Sequence, residues 1–186
     1  MHARHFLTLM ATALALLTSP GTASANAPEP AAPATGLPAG QRLIGQAAFR
    51  WLGLEIYRAT LHADAGFNPR FFDEHRFALE LEYQRSFDGN AIAQRSIEEM
   101  ESLAPLPAAT VRDWLKAMRQ VFPGVRPGDR LLGVHEPGAG ARFFHNGRLV
   151  GQIDDPLFAA HFFAIWLSPR TSQPRLREAL ISGALR

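Results

Sequence analysis

The densest run of apolar residues lies between Ala141 and Pro169, and its pattern predicts a β-hairpin followed by a buried helix. In the first half of this run, Asn146-Gly147 separates two short apolar stretches. This dipeptide is typical of the two-residue turn of a hairpin, because both residues tolerate a positive φ. We therefore expect strands at about 141–145 and 148–153, joined by this turn.

The second half of the run predicts a helix at about 156–167. Asp155 can accept hydrogen bonds from the free N–H groups of a first helical turn, and Pro156 suits the first helical position. Apart from that proline, His161 is the only residue of the predicted helix that is not apolar. A helix that is apolar on all sides must be covered on most of them, so we expect this helix to be buried.

Further strands are predicted from shorter apolar stretches. The stretch 43–63 is dense and has no interior proline, which indicates two strands at about 42–50 and 54–63, and another strand is expected at about 130–136. The clearest alternation runs from Arg76 to Tyr83. Its two faces consist of Phe77, Leu79, Leu81 and Tyr83 on one side and Ala78, Glu80 and Glu82 on the other. A strand with one dry and one wet face is typical of an antiparallel sheet.

Amphipathic helices are predicted at about 89–103, 108–122 and 174–184, where apolar residues recur at helical spacing. Asp88 is a typical N-cap for the first of them. The strands and helices occur in blocks and do not alternate one by one. This order favours an α+β fold, in which an antiparallel sheet carries a layer of helices on one face.

The N-terminal residues 1–25 are typical of a secretory signal peptide. Arg4 provides a positive charge, the apolar run Phe6–Leu17 follows, and Ala23-Ser24-Ala25 fits a cleavage site of small residues. The apolar run is too short to span a bilayer, which needs about 20 residues. No second long apolar run follows, so we expect no transmembrane segment in the mature chain.

Beyond the signal peptide, residues 26–40 are rich in Ala and Pro and predict a disordered spacer, and residues 41–186 predict one domain. The chain after the signal peptide has about 160 residues, which is enough for one domain with a hydrophobic core. The formal net charge of +2 is too small to argue for nucleic acid as a partner.

The composition also limits the chemistry. The sequence contains no Cys, which excludes disulfides, Cys-ligated metals and thiol catalysis. An exported chain without Cys fits a bacterial periplasm, where disulfides are allowed but not required. The histidines and acidic residues around His135, His145 and His161 lack the spacing of metal ligands, and no Gly-rich phosphate loop is present. We therefore expect neither a metal nor a cofactor.

Two stretches carry a resemblance to a known family: FPGVRPGDRLLGVHEPG at 122–138 and ARFFHNGRLVGQIDDPLFAAHFFAIWL at 141–167. Their order and spacing resemble the chalcone isomerase-like superfamily, and more closely its exported bacterial branch. The resemblance covers roughly residues 43–180. It implies an open-faced antiparallel β-sandwich with helices packed on the sheet and a ligand cleft between the sheet and the helices.

The resemblance also implies candidate site residues. Arg50 matches the key arginine at the end of the first strand of the enzymes, and its guanidinium would grip a carboxylate or phenolate. Ile92 and Glu99 stand where the enzymes have a Tyr and an Asn, and Val150 matches a hydroxyl residue. Tyr57 lies near the place of a Thr. Each missing donor typically costs ~10²–10³ in rate, so a dedicated chalcone isomerase is not expected.

These expectations lead to three hypotheses. The first is a periplasmic, non-catalytic binder of a small amphipathic anion, fatty-acid-like or phenolic, with its head on Arg50 and its apolar body between sheet and helices. The second is an intramolecular lyase or isomerase of the chalcone isomerase type that acts on an enone. The third is a structural or partner-binding protein whose core is filled by phenylalanines such as Phe158 and Phe163.

Overall fold

Six strands form one antiparallel sheet in chain order in a computed structural model, which describes residues 36–185. The strands are β1 (Arg42–Trp51), β2 (Leu54–Ala63), β3 (Phe77–Tyr83), β4 (Arg130–Glu136), β5 (Gly140–His145) and β6 (Arg148–Ile153). Within residues 36–185, α-helices occur only between β3 and β4 and after β6. The predicted α+β fold, an antiparallel sheet with a layer of helices packed on it, is confirmed.

The helices are α1 (Gly89–Leu103), α2 (Ala108–Val121), α3 (Pro156–Leu167) and α4 (Pro174–Leu180). The carboxylate of Asp88 accepts a hydrogen bond from the backbone N–H of Asn90 at 2.8 Å and so caps α1. The predicted helix at 174–184 is shorter, because a separate 3-10 turn follows at Ser182–Ala184. The loop after β2 contains another 3-10 helix, Pro69–Glu74, which the sequence pattern does not predict.

Helix α3 lies at the centre of the core, as its apolar sequence predicts. Asp155 accepts hydrogen bonds from the backbone N–H groups of Leu157 and Phe158 at 2.8 and 3.0 Å, and its other oxygen accepts one from Trp114 Nε1 at 2.8 Å. The same carboxylate therefore caps α3 and attaches it to α2. The residues of α3 that are buried are Phe158, Ala159, Phe162, Phe163, Trp166 and Leu167.

The sheet has a dry and a wet face. On β3, the predicted apolar face points to the helices, and Glu80 and Glu82 lie on the outer face, where both form ion pairs with Arg130. The turn between β5 and β6 has φ 49° at Asn146 and 81° at Gly147, as expected for the predicted hairpin. The helices thus cover one face only, and any enclosed site must lie on that side.

The outer face carries one small apolar cluster, formed by Ala78, Leu132 and Val134. Leu37 packs against this cluster, and Pro38 is buried beside it in sequence. Residues 36–40 belong to the segment that we predict to be a disordered spacer, and within them Leu37 has an apolar surface to cover. The rest of that segment and the predicted signal peptide, residues 1–25, lie outside the described residues. Within residues 36–185, each helix is too short or too polar to cross a lipid bilayer.

Candidate functional site

A cavity of about 200 Å³ lies between the first three strands and helices α1, α3 and α4. Its sheet side is formed by residues on the inner faces of β1, β2 and β3. Its helix side is formed by the facing residues of three helices. The principal lining residues are Phe49, Tyr57, Leu81, Tyr83, Ile92, Arg95, Ser96, Glu99, Phe162, Ile165, Trp166 and Leu176. The lining is mostly apolar, which is the usual character of a site for a small organic ligand.

The position of α1 explains why space remains under it. Gly89 at the start of α1 lies so close to the backbone of Phe122 that an added Cβ would clash with the Phe122 carbonyl oxygen. The helix is therefore fixed at its first turn by a backbone contact. Further along, Ser96 is too short to fill the gap, and its hydroxyl donates to the Ile92 carbonyl at 2.9 Å. Ser96 thus needs no partner across the cavity.

Tyr57 on β2 provides the first polar group of the cavity. Its ring is stacked on Phe49 with the centroids 5.1 Å apart, and its hydroxyl oxygen accepts a hydrogen bond from Trp166 Nε1 at 3.1 Å. Burial raises the pKa of Tyr57, so the phenol stays protonated at physiological pH. Because the hydroxyl acts as an acceptor toward Trp166, its own proton is available to a ligand.

Tyr83 on β3 provides the second polar group. Its ring lies edge-on to that of Tyr57, with the centroids 5.9 Å apart. Burial also raises the pKa of Tyr83, so this phenol is protonated as well. Among residues 36–185, no side chain or backbone group forms a hydrogen bond with the Tyr83 hydroxyl. The sheet side of the cavity therefore has two neutral O–H donors among apolar side chains.

Charged groups lie at the α1 side of the cavity. Arg95 donates to one oxygen of Glu99, and Ser172 donates to the other at 3.0 Å. Arg95 also lies 3.5 Å from Glu98. The side chain of Glu99 is only 13% exposed, whereas that of Arg95 is 68% exposed. The cavity thus opens to solvent beside Arg95, the only Arg or Lys that lines it within the described residues 36–185.

The structure corrects the expectation for Arg50. Its side chain is 65% exposed and forms an ion pair with Glu55 at 3.3 Å. Arg50 is also not among the residues that line the cavity. The expected placement of Arg50 at a cleft between the sheet and the helices is therefore wrong: β1 ends at the rim of the sheet, where Arg50 faces water. The cation near the cavity is Arg95 on α1.

The other predicted site residues differ in whether they line the cavity. Tyr57, Ile92 and Glu99 line the cavity together, whereas Val150 does not and instead packs against the core from β6. The pattern of acidic residues on α1 indicates a solvated face, but Glu99 is turned inward and bonded on both oxygens.

The sequence reasoning missed Tyr83, Arg95 and Trp166. Tyr83 has a detectable signal, because it continues the dry face of β3 with a hydroxyl at the end of the strand.

The phenylalanines of α3 do not fill the space between sheet and helices completely. Phe162 borders the cavity, but Phe158 and Phe163 pack elsewhere in the core. The hypothesis of a wholly filled core predicts no such cavity. His161, the polar residue of α3, is half-buried against Trp114 with the ring centroids 5.4 Å apart, and burial lowers its pKa. It is not a lining residue.

Comparison with known proteins agrees with this architecture. The sequence model of a family described as chalcone isomerase-like matches residues 45–182. The chain belongs to the chalcone isomerase-like family. The resemblance inferred from the residues is thereby confirmed at the level of the family.

One relative is an uncharacterized protein of Haemophilus influenzae, which is 28% identical to this chain over 138 residues. The match covers 74% of this chain and 66% of that relative, so this chain spans slightly less than two thirds of its length. A solved structure with the same fold is a fatty-acid binding protein of Arabidopsis thaliana. It superimposes with a TM-score of 0.61 at 13% identity, over 81% of this chain and 91% of that chain. This similarity establishes the fold.

Proposed function

We propose that this protein is a non-catalytic binder of a small amphipathic molecule. The apolar body of the ligand fills the cavity, and its oxygen acceptor takes hydrogen bonds from Tyr57 and Tyr83. The observation that carries this proposal is the pair of protonated hydroxyls among the apolar side chains on the sheet side of the cavity. A buried donor without a partner is costly, and a ligand oxygen would satisfy it.

The size of the cavity limits the ligand. A cavity of about 150 Å³ in another protein holds benzene, so about 200 Å³ suits a substituted aromatic ring or a short acyl chain. A long fatty acid would have to extend past Arg95 into solvent. The proposed ligand is therefore a small aromatic or short-chain acid, and a long-chain lipid is a poorer fit.

The head group is proposed to be a carboxylate or a phenolate. Arg95 is placed to supply its counter-charge, in the role that the sequence suggests for Arg50. Arg95 is already paired with Glu99, so an anionic ligand would have to share the guanidinium, whose planar donors permit two partners. This arrangement predicts modest affinity that weakens as salt increases.

We also propose that the protein acts outside the cytoplasm, as an exported bacterial member of the family. This part of the proposal is supported only by the sequence of residues 1–25 and by the absence of Cys. It is tested by determining the N-terminal residue of the protein recovered from the periplasm of a bacterial host. Asn26 is the expected first residue, and an intact Met1 would contradict it.

The binding proposal is tested by native mass spectrometry after purification without detergent, and by titration with cinnamate, octanoate and palmitate. We expect cinnamate and octanoate to bind more tightly than palmitate. Ile92→Trp, which fills the cavity, should abolish binding. Tyr57→Phe and Tyr83→Phe should each weaken it by about 2–10-fold, the loss expected for one hydrogen bond.

Arg50→Ala is the matched control, because it removes a cation that lies outside the cavity. It should leave binding unchanged. If Ile92→Trp is folded by circular dichroism and still binds the same probe, the cavity is not the binding site. If Arg50→Ala loses binding while Tyr83→Phe does not, the assignment of the polar contacts is wrong.

The isomerase hypothesis is retained as a second candidate because neutral hydroxyl donors can stabilise a developing enolate. Tyr57 and Tyr83 are such donors. A 2′-hydroxychalcone absorbance assay tests it directly. A rate above the solvent reaction that falls in Tyr83→Phe would support an enzyme, and a rate equal to the solvent reaction would exclude this activity.

A further inference from the structure

The tip of the β1–β2 hairpin exposes an unusual group of apolar side chains. Trp51 is 60% exposed, Leu52 86% and Leu54 52%. They surround Gly53, so three large apolar residues stand next to one another in sequence at the end of the sheet. Single exposed apolar residues are common, but a contiguous group of this kind indicates an interaction site.

The backbone at the tip makes this exposure more notable. Leu52 has φ 48° and Gly53 has φ 80°. A turn of this kind favours Asn, Asp or Gly at the first position, because a Cβ is disfavoured at positive φ. Leu52 is therefore unfavourable twice, in its conformation and in its contact with water. Folding alone would be better served by a polar residue, which indicates that the leucine serves another purpose.

The base of the same hairpin is positively charged. Arg50 and Arg58 both pair with the single carboxylate of Glu55, at 3.3 and 3.0 Å. Arg85 lies nearby, since the adjacent Gln84 donates its backbone N–H to the Ile56 carbonyl at 2.8 Å. Arg85 is exposed and forms no ion pair within residues 36–185. Arg50, Arg58 and Arg85 thus lie near the apolar tip, where the neighbouring acids are Glu55 and, opposite Arg58 on β3, Glu82.

We propose that the hairpin tip 51–54 docks on a lipid bilayer that contains anionic headgroups. Trp51 suits the interfacial layer, where an indole is partly apolar and partly hydrated. Leu52 and Leu54 would enter the acyl boundary, and Arg50, Arg58 and Arg85 would face the headgroups. A second copy of the chain is a poorer occupant, because three side chains on a convex tip bury far less area than a stable interface needs.

The tip is next to the cavity along the chain. Phe49 and Ile56, which line the cavity, precede and follow the tip on β1 and β2. Docking would therefore hold the cavity close to the membrane surface, where amphipathic molecules concentrate. The docking proposal does not depend on what the cavity binds, and it goes beyond the proposed binding function.

The test uses vesicles of phosphatidylglycerol and phosphatidylethanolamine, with phosphatidylcholine vesicles as the neutral comparison. The protein used in this test begins at Asn26, so that the apolar run Phe6–Leu17 is absent. It retains all strands and helices of the compact unit. Co-sedimentation gives the bound fraction. Lipids brominated in their acyl chains should quench the fluorescence of Trp51, since Trp114 and Trp166 are buried.

Two variants at the tip separate docking from folding. Leu52→Asn and Trp51→Thr should each lower partitioning by about tenfold, the effect of withdrawing one large apolar side chain from the membrane. Leu52→Asn should also leave the melting temperature unchanged or raise it, because Asn tolerates positive φ. Arg85→Gln should reduce binding to anionic vesicles about fivefold and leave neutral vesicles unaffected.

Leu157→Ser is the matched control, since Leu157 is 58% exposed but lies at the start of α3, away from the hairpin. It should bind vesicles like the wild type. Equal binding of wild type and Leu52→Asn would overturn the proposal, and so would self-association that Leu52→Asn abolishes while vesicle binding is absent. The tip variants should keep the cinnamate affinity, so loss of docking and failure of the cavity proposal are distinguishable.

Discussion

The space beneath the helices has two ends that differ in packing, although α3 borders both. At one end, Phe163 meets Phe77 edge-on with the centroids 4.8 Å apart, and Phe162 packs on Phe163 and is itself contacted by the rings of Phe143 and Phe158. At the other end, Tyr57 and Tyr83 face α1 across an unfilled volume. The same sheet and the same helix layer thus give a filled core at one end and a cavity at the other.

The difference follows from the side chains that each element brings. At the filled end, Gly133 on β4 lets the ring of Phe163 approach the sheet, and an added Cβ there would lie 3.1 Å from that ring. At the cavity end, α1 brings Ile92 and Ser96, which are too short to reach the sheet. Ring packing therefore determines stability, and short helix residues above two hydroxyls create the site.

The largest expected effect comes from truncating a ring at the filled end. Phe163→Ala should lower the free energy of unfolding by about 3–5 kcal/mol, because Phe163 is fully buried and its neighbours cannot collapse into the space. Chemical denaturation measures it. Tyr83→Phe at the cavity end is the comparison, and a change there above about 1 kcal/mol would show that the two ends are not distinct.

The next effect comes from adding volume at each end. Gly133→Val should destabilise the protein by about 1–3 kcal/mol, because the new side chain meets Phe163. Ile92→Phe should cost much less, since its added atoms enter the cavity. Thermal unfolding of both variants checks this. Equal losses in the two would argue that the cavity end is as tightly packed as the filled end.

A smaller effect is expected where the two ends meet, at the hydrogen bond from Trp166 to Tyr57. Trp166→Phe and Tyr57→Phe each remove it, so their combined effect should fall short of the sum by about 0.5–1.5 kcal/mol. A double-mutant cycle measures this coupling. Strict additivity would mean that the bond contributes nothing to the folded state.

The smallest expected effect is a loss of stability at acidic pH. Burial lowers the pKa of His135, which stacks on Phe77 with the centroids 4.8 Å apart. The unfolded chain then binds protons more readily than the folded chain. The free energy of unfolding is therefore not reduced by this histidine above about pH 6.5, and it falls as the pH drops below that value. His135→Gln should reduce this loss without abolishing it, because burial also lowers the pKa of His62 and His161. Unfolding curves between pH 7.5 and 5 check it.

The architecture could be predicted because its signals are local. The turn at Asn146-Gly147, the cap at Asp155 and the alternation of β3 each depend on neighbouring residues, and each is found in the structure. The ends of elements were harder to predict. Helix α4 ends at Leu180, because its last turn changes to a 3-10 turn, and that difference is invisible in apolar spacing.

Only part of the site could be predicted, because the cavity depends on the distance between the sheet and the helix layer. Tyr57, Ile92 and Glu99 were found through resemblance, but Arg50 was misplaced by the same route. A strand-end arginine is buried or exposed according to how far the helices extend over it, which no local pattern records. The net charge of +2 likewise conceals the local excess of arginine at the hairpin tip.

The packing of Leu37 on the outer cluster matters for anyone who prepares this protein. A chain trimmed to begin at Gln41 would keep every strand, yet it would remove Leu37 and leave Phe144 to cover Leu132 and Val134 on a face that is otherwise hydrated. Such a sample would tend to precipitate on concentration. An affinity tag should therefore be joined well before Gly36, so that its removal leaves this short cover in place.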